Sequence, residues 1–284
     1  MNVPVKPDRL SALLRGLAPR VEMSTALPQG ACAAPLHFAA SAVPMLHLHV
    51  VSSGTVRLVK SGAAPASALQ ASAPAFLICR GDQAHDLMSS DSSAQVPLLS
   101  ARVFLEGPVA SLLLAEFVQP RVVPLAEEEC LLQHVLALLR SETSEPRCGQ
   151  QALLNCAGNI VFIGLLRHLV AHPVEHGGLF SGLADPRIAS ALVALHDAPQ
   201  KDWTLQSMAQ HAGMSRTAFA VRFRNTMNSP PGKYLSTLRL QMAQRAVQSG
   251  QGLKAAASVS GYDNVSALSR ALSKARTLPR PGSP

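Results

Sequence analysis

Acidic residues nearly vanish from the last hundred positions of this 284-residue chain. Residues 185–284 carry 13 Lys/Arg against 4 Asp/Glu, a net of +9, whereas residues 1–184 carry 12 against 13, a net of −1. The excess charge of the +8 chain therefore sits in one section. A compact basic module beside a neutral one points to a polyanion, of which phosphate backbones are the commonest. Aromatic residues are also scarce, at 4%, so the core must be built mostly of Leu, Ala and Val. Cysteine is limited to Cys32, Cys79, Cys130, Cys148 and Cys156. The odd count, with no Cys-x-x-Cys and no zinc-finger spacing to histidine, argues against a disulfide framework and for free thiols in a reducing compartment. No long apolar run is apparent. Lys6, Asp8, Arg9 and Arg15 interrupt the stretch that a signal peptide would need, and Asn159 to Leu166 is too short to span a bilayer. A soluble cytoplasmic protein without a membrane partner is expected.

What is present is a hydrophobic fraction of 48%, too high for a disordered chain. The length fits about two domains. A short helix is expected at Asp8–Leu17. Residues 35–106 then read as short strands. Leu46, Leu48 and Val50 alternate with His47 and His49, residues 55–59 follow Gly54, and Phe76–Ile78 and Val103–Leu105 complete the set. From about residue 108 the pattern turns helical. Cys130–Arg140 and Leu153–Val170 are long apolar helices, separated by a polar loop with Pro146 and Gly149. Glu127, Glu128 and Glu129 read as an acidic first turn. Asp185-Pro186 is an N-cap followed by a first-turn proline, so a helix is expected from Pro186 to His196. After residue 184 no strand pattern appears.

Trp203 to Phe223 is the most informative stretch. Leu205, Met208 and Ala209 give a short helix one apolar face. Gly213 supplies a turn, and Ser215 caps a second helix with Phe219 and Phe223 at i, i+4. This is a helix-turn-helix, with Ala209 small enough for the close helix crossing. The face opposite the two phenylalanines shows Arg216, Thr217, Ala220, Arg222 and Arg224, and Arg suits both guanine edges and phosphates. The unit repeats: Leu253–Ser260 with Ala257, a turn at Gly261-Tyr262, Asn264 or Asp263 as cap, then Val265–Lys274 with Leu268 and Leu272 inward. Ser266, Arg270 and Lys274 lie outward with Asn264. Pro231–Gln248 forms one long helix between the two units. Trp203 is expected in the core, and His196 and His211 on helix surfaces.

With these strings on the page, the last hundred residues resemble the AraC/XylS family of transcription regulators. The resemblance is carried by W-T-L-Q-S-M-A-Q-H-A-G-M-S-R-T-A-F-A-V-R-F-R from Trp203 to Arg224, P-P-G-K-Y-L-S-T-L-R-L-Q-M-A from Pro230 to Ala243, Gly261-Tyr262, and S-R-A-L-S-K from Ser269 to Lys274. It implies promoter-DNA contact by Ser215, Arg216, Thr217, Arg222 and Arg224, with Asn264, Ser266, Arg270 and Lys274 as their counterparts in the second unit. That second unit departs from the family pattern. Ala256 and Ser260 replace bulky apolar residues, and Leu268 and Leu272 replace Phe, so a softer unit is expected.

Residues 1–184 resemble the cupin-like sensor of one branch of that family. The carrying strings are Asp8–Arg20, H-V-V-S-S-G-T-V-R-L from His49 to Leu58, L-I-C-R-G-D-Q-A-H-D-L from Leu77 to Leu87, Leu153–Leu169 and Gly182–Ile188. The expected fold is α+β. A cupin-like β-barrel with flanking helices occupies 1–184 and senses or dimerises; an all-α double helix-turn-helix domain occupies 185–284. Cupin oxygenases use His-x-His, a nearby Glu and a later His. Here His47, His49 and His85 are present, but residues 50–55 hold no carboxylate, so no metal, cofactor or catalytic residue is expected. Cys32 and Cys79 are the candidate redox thiols, with Arg80 placed to favour a thiolate. The expected partners are double-stranded promoter DNA, a second copy of the chain, a small-molecule effector and RNA polymerase. The competing classes are a decayed or partner-dependent regulator and a cupin metal enzyme with a DNA module.

Overall fold

The structure, a computed structural model, describes residues 8–24, 35–60, 68–90, 98–125, 130–145, 147–173 and 177–277. Contacts divide these residues into two compact units. One comprises Ala18–Glu106 and Leu112–His168; the other comprises the described residues up to Leu17, Gly107–Ser111 and those from Leu169 onward.

The first unit holds nine described strands: β1 (Pro19–Ser24), β2 (Leu36–Phe38), β3 (Met45–Val51), β4 (Thr55–Lys60), β5 (Leu69–Ser72), β6 (Ala75–Arg80), β7 (His85–Ser89), β8 (Leu98–Leu105) and β9 (Arg121–Pro124). They form a five-stranded sheet ordered β1-β8-β3-β6-β9 and a four-stranded sheet ordered β2-β7-β4-β5. Every described pairing is antiparallel. Val51, Leu77 and Cys79 of the larger sheet share a buried cluster with Val56, Leu58, Ala71 and Leu87 of the smaller one. The two sheets therefore bury their facing sides against each other. In β3 every residue is buried, so the alternation of His and Leu separates two covered faces, not a wet one from a dry one. Among the described residues no ladder joins the two sheets, which corrects the expected closed barrel.

The helices, in chain order, begin with α1 (Arg9–Leu17), α2 (Ala110–Ala115), α3 (Cys130–Ser144) and α4 (Gln150–Ala171). The β1 edge meets α4 instead of another strand. Met23 N donates to Asn155 Oδ1 at 2.9 Å, and Gln151 Nε2 donates to Met23 O at 2.9 Å. These side chains satisfy main-chain groups that an edge strand otherwise leaves open. By length and composition α4 reaches what a membrane crossing needs, so the estimate based on Asn159–Leu166 was too short. That stretch stops before Arg167, the one Lys, Arg, Asp or Glu in the helix, whereas α4 runs from Gln150 to Ala171. About half of its most apolar window is buried, and Leu154, Ala157, Val161, Phe162, Leu165 and Leu166 form that buried side.

The second unit continues with α5 (Leu179–Ala184), α6 (Pro186–Asp197), α7 (Leu205–His211), α8 (Arg216–Met227), α9 (Pro231–Gln248), α10 (Leu253–Ser260) and α11 (Val265–Thr277). α1 is held beside α5 and α6 by Arg9 Nη1 donating to Leu183 O at 2.6 Å and by an Arg15–Asp197 pair at 2.8 Å. Asp185 caps α6 as its sequence position predicted, accepting from Arg187 N and Ile188 N, and Pro186 opens the helix. His196 corrects the expectation of a surface residue. It lies on the same side of α6 as Leu192 and Leu195, is only 8% exposed, and its Nε2 pairs with Tyr234 Oη at 2.6 Å. Burial pushes its pKa down to about 4. Trp203 is half-buried, and its indole N–H donates to Ala198 O at 2.8 Å.

Candidate nucleic-acid interface

Each helix-turn-helix is set by local chemistry before packing acts. Thr204 and Ser207 form a reciprocal capping box at the start of α7. The chain then turns at Gly213, whose φ of +61° lies in the left-handed region. Ser215 Oγ accepts from Ala218 N at 3.3 Å and starts α8. Phe219 and Phe223 are fully buried and meet with ring centroids 5.5 Å apart, and Tyr234 of α9 packs edge-on against Phe223 at 5.7 Å. Ala209, also fully buried, leaves room for the helix crossing. With one side of α8 fixed by aromatic packing, its other side is necessarily outward.

Arg216, Thr217 and Arg224 are exposed on α8, as the sequence predicted. Ser215 spends its hydroxyl on the cap. Arg222 is placed differently from a free base reader. Its Nε donates to Asp185 Oδ2 at 2.5 Å, and the Arg222 side chain remains 49% exposed. Desolvation would raise the Asp185 pKa, but the bond from Arg222 and those from Ile188 N and Arg187 N prevail and hold it below the usual value. One carboxylate thus caps α6 and anchors the middle of α8. The sequence reading missed Val221, which is 56% exposed on α8, one turn beyond Thr217. The signal was available: Thr217, Val221 and Arg224 follow i, i+4, i+7 spacing and share a stripe. An exposed valine on an outward helix face is suited to the methyl group of thymine.

The second unit repeats the design with smaller parts. Gly261 has φ +75°, and an added Cβ would lie 2.7 Å from Gln200 Cα, so both conformation and space require glycine there. Asn264 Oδ1 accepts from Ala267 N at 2.8 Å and caps α11, which decides between Asn264 and Asp263 as the cap. Ser266, Arg270 and Lys274 are exposed, and Arg270 Nε reaches Ser266 O at 3.4 Å. The core consists of Ala243, Ala246, Ala256, Ala257 and Leu268, with Val247, Tyr262 and Leu272 partly buried against it. Ser260, expected to weaken this core, donates its hydroxyl to Ala256 O at 2.5 Å and so is satisfied within its own helix.

Of the candidate redox thiols, Cys32 lies outside the described residues. Cys79 is 1% exposed in β6, and burial pushes its thiol up to about 12. That environment opposes a free reactive thiolate, and Arg80 turns instead to Asp82, with Nε 2.9 Å from Oδ1. The acidic run 127–129 also lies outside the described residues.

Comparison with known families agrees with both halves of this architecture. A model described as "Cupin" matches residues 8–171, more than half of the chain. The chain belongs to the cupin family. A model described as "Helix-turn-helix domain" matches residues 208–278, and that domain is of the AraC type. Among similar sequences, an AraC-like transcription regulator of Streptomyces lividans is 38% identical over 122 residues, 42% of this chain and 40% of that protein. The RCS-specific HTH-type transcriptional activator RclR of Escherichia coli is 30% identical over 144 residues, 51% of this chain and 49% of that one. The chain therefore spans about half or less of these relatives. The crystal structure of ToxT from Vibrio cholerae covers 89% of this chain and 91% of its own, at 10% identity and a TM-score of 0.34.

Proposed function

We propose that this cupin-family protein is a sequence-specific transcription regulator of the AraC type, in which α8 and α11 enter adjacent major grooves of promoter DNA. The observation that carries the proposal is the pair of glycine-turned, capped helix-turn-helix units flanking α9 in the section with net charge +9. Arg216, Thr217, Val221 and Arg224 would face bases and phosphates in one groove; Ser266, Arg270 and Lys274 would do so in the next. Ser215, Asn264 and Arg222 take positioning roles: two caps and an anchor to Asp185. Phosphate contacts would set affinity and make it fall steeply with salt, while a few base contacts would select the site. In this reading residues 1–184 receive a signal, residues 185–284 bind DNA, and the protein performs no catalysis.

Selection of genomic fragments by the purified protein at near-physiological salt tests the proposal. Two half-sites about 10 base pairs apart support it. Retention without any shared motif overturns sequence-specific reading. A second reading, dependence on a partner, is favoured by the alanine-built core of the second unit; it is supported if only one half-site emerges and a mixed assembly restores the other.

A further inference from the structure

The space between the two sheets holds a cluster of side chains that the DNA-binding reading does not use. β3 and β6 are paired with His47 opposite Cys79, and β3 and β8 with His49 opposite Ser100. β7 of the other sheet brings in His85. His49 Nε2 and His85 Nε2 lie 3.0 Å apart. One donor atom each from His49, Cys79 and His85 falls within 4.8 Å of the others, and all three residues are buried. Beside them His47 is 5% exposed, its Nε2 is buried without a hydrogen-bond partner, and its ring centroid is 5.3 Å from that of His85.

We propose that His49, Cys79 and His85 bind a thiophilic transition-metal ion, zinc foremost, with His47 beside it as a fourth donor. The ligand set differs from that of cupin oxygenases. Residues 50–55 offer no carboxylate, so the His-x-His, Glu, His set for iron is not met. A thiol stands in the same buried cluster instead, and a mixed nitrogen and sulfur set selects zinc or copper(I) over harder ions. The inference does not depend on the DNA-binding reading.

The hydrogen bonds around the cluster are those of metal-binding histidines. His85 Nδ1 is 3.1 Å from Gln83 O. A carbonyl can only accept, so Nδ1 carries the proton and, in the neutral ring, Nε2 presents a lone pair toward His49. His49 Nδ1 pairs with Ser100 Oγ at 2.8 Å. When Ser100 donates, His49 Nε2–H donates to His85 Nε2 and the pair closes on itself; when Ser100 accepts, both Nε2 atoms are lone pairs facing each other, the arrangement that a cation between them stabilises. This second layer of partners, which fixes tautomer and ring direction, is usual behind zinc-bound imidazoles. Burial keeps all three histidines neutral, the form that binds metal: His47 is pushed down to about 4, and His49 and His85 are also lowered.

The distances are within reach of a tetrahedral site. Zinc bonds of about 2.0–2.1 Å to nitrogen and about 2.3 Å to sulfur place nitrogens about 3.4 Å apart and nitrogen and sulfur about 3.6 Å apart. Closing from the observed separations requires movements of about an ångström. Binding forms a metal–sulfur bond at Cys79 Sγ and releases its thiol proton to solvent. The histidines contribute lone pairs and lose no net proton, and no electron is transferred.

The full-length, metal-stripped protein with Cys32, Cys130, Cys148 and Cys156 replaced by Ser is titrated with cobalt(II), then with zinc. The expected result is one cobalt per chain, tetrahedral visible bands, a near-ultraviolet thiolate-to-cobalt charge-transfer band, and loss of all bands on adding zinc. Cys79→Ser then removes the charge-transfer band, and Ser100→Ala weakens zinc about 10–100-fold. Circular dichroism confirms that each variant is folded. If the four-serine protein does not fold, the same bands are read in the unaltered chain and in Cys79→Ser. Absence of stoichiometric uptake, a six-coordinate cobalt spectrum, or a charge-transfer band that survives Cys79→Ser overturns the proposal.

Discussion

Arg222 gives the sharpest test of how α8 is used. A free arginine at a base edge would contribute about 1–3 kcal/mol of discrimination at one base pair. Here its Nε lies 2.5 Å from Asp185 Oδ2, a carboxylate already bonded to two main-chain N–H groups at the start of α6. Arg222→Ala should therefore act first on stability. The pair is partly exposed, 49% on the Arg side and 12% on the Asp side, so solvent screening limits its worth to about 1 kcal/mol. Asp185 keeps its two cap bonds, so α6 itself remains. Urea unfolding should show that loss, while a randomised-site binding assay should return the wild-type motif. Asp185→Asn is the complement. It retains an oxygen for the cap but removes the charge facing Arg222, and the freed guanidinium becomes available to phosphate. The salt dependence of DNA binding should then steepen by about 0.9 in the log–log slope. The reasoning is refuted if Arg222→Ala leaves stability unchanged and alters preference at a single base pair.

The buried His196 predicts acid sensitivity. Its folded pKa of about 4 lies below the ordinary 6.5, so its contribution is full above pH 6.5 and is lost as pH falls toward 4. The loss is about 3 kcal/mol, and His196→Gln should flatten that part of a stability-versus-pH curve. Val221→Ala should leave stability within about 0.5 kcal/mol of wild type and relax preference at one A·T position in the selected motif. Arg224→Ala should weaken all sequences alike and reduce the salt slope by about 1, read by titrations at several salt concentrations. Leu268→Ala should cost about 2–5 kcal/mol, and hydrogen exchange should show α10 and α11 opening while α7 and α8 stay protected.

The helical section was legible in the sequence because its signals are local. Asp185-Pro186, Gly213, Ser215, Gly261 and Asn264 each fix a helix end by a bond or a backbone angle spanning a few residues, and the Thr204–Ser207 capping box, equally local, went unread. The sheets were less legible because their shortest strands have no pattern of their own. β2 has only Leu36, His37 and Phe38, held by pairing with β7, and β9 lies in a region that otherwise reads as helical. Such strands exist through partners far away in sequence. His196 was misjudged for a similar reason. Its helix position was readable, but Tyr234, which covers it, comes from α9.

The two units also show why one kind of residue carries different information in different places. Outward side chains on α8 were identified from phenylalanine spacing alone, because a helix with one face packed has only one other face. Yet exposure did not tell which arginine is free. Arg216 and Arg222 are both exposed, and only the fold brings Asp185 to Arg222. Inside the sheets the reverse holds. His47 and His49 were read as sharing a strand face, but whether that face was wet decided their chemistry. With both sides of β3 covered, a histidine pair that would be inert in water becomes neutral, ordered and adjacent to a thiol. Metal uptake through Cys79 would have to displace the proton that this low-polarity setting holds on the thiol, so it depends on His49, Cys79 and His85 already converging within reach of one ion and not on burial alone.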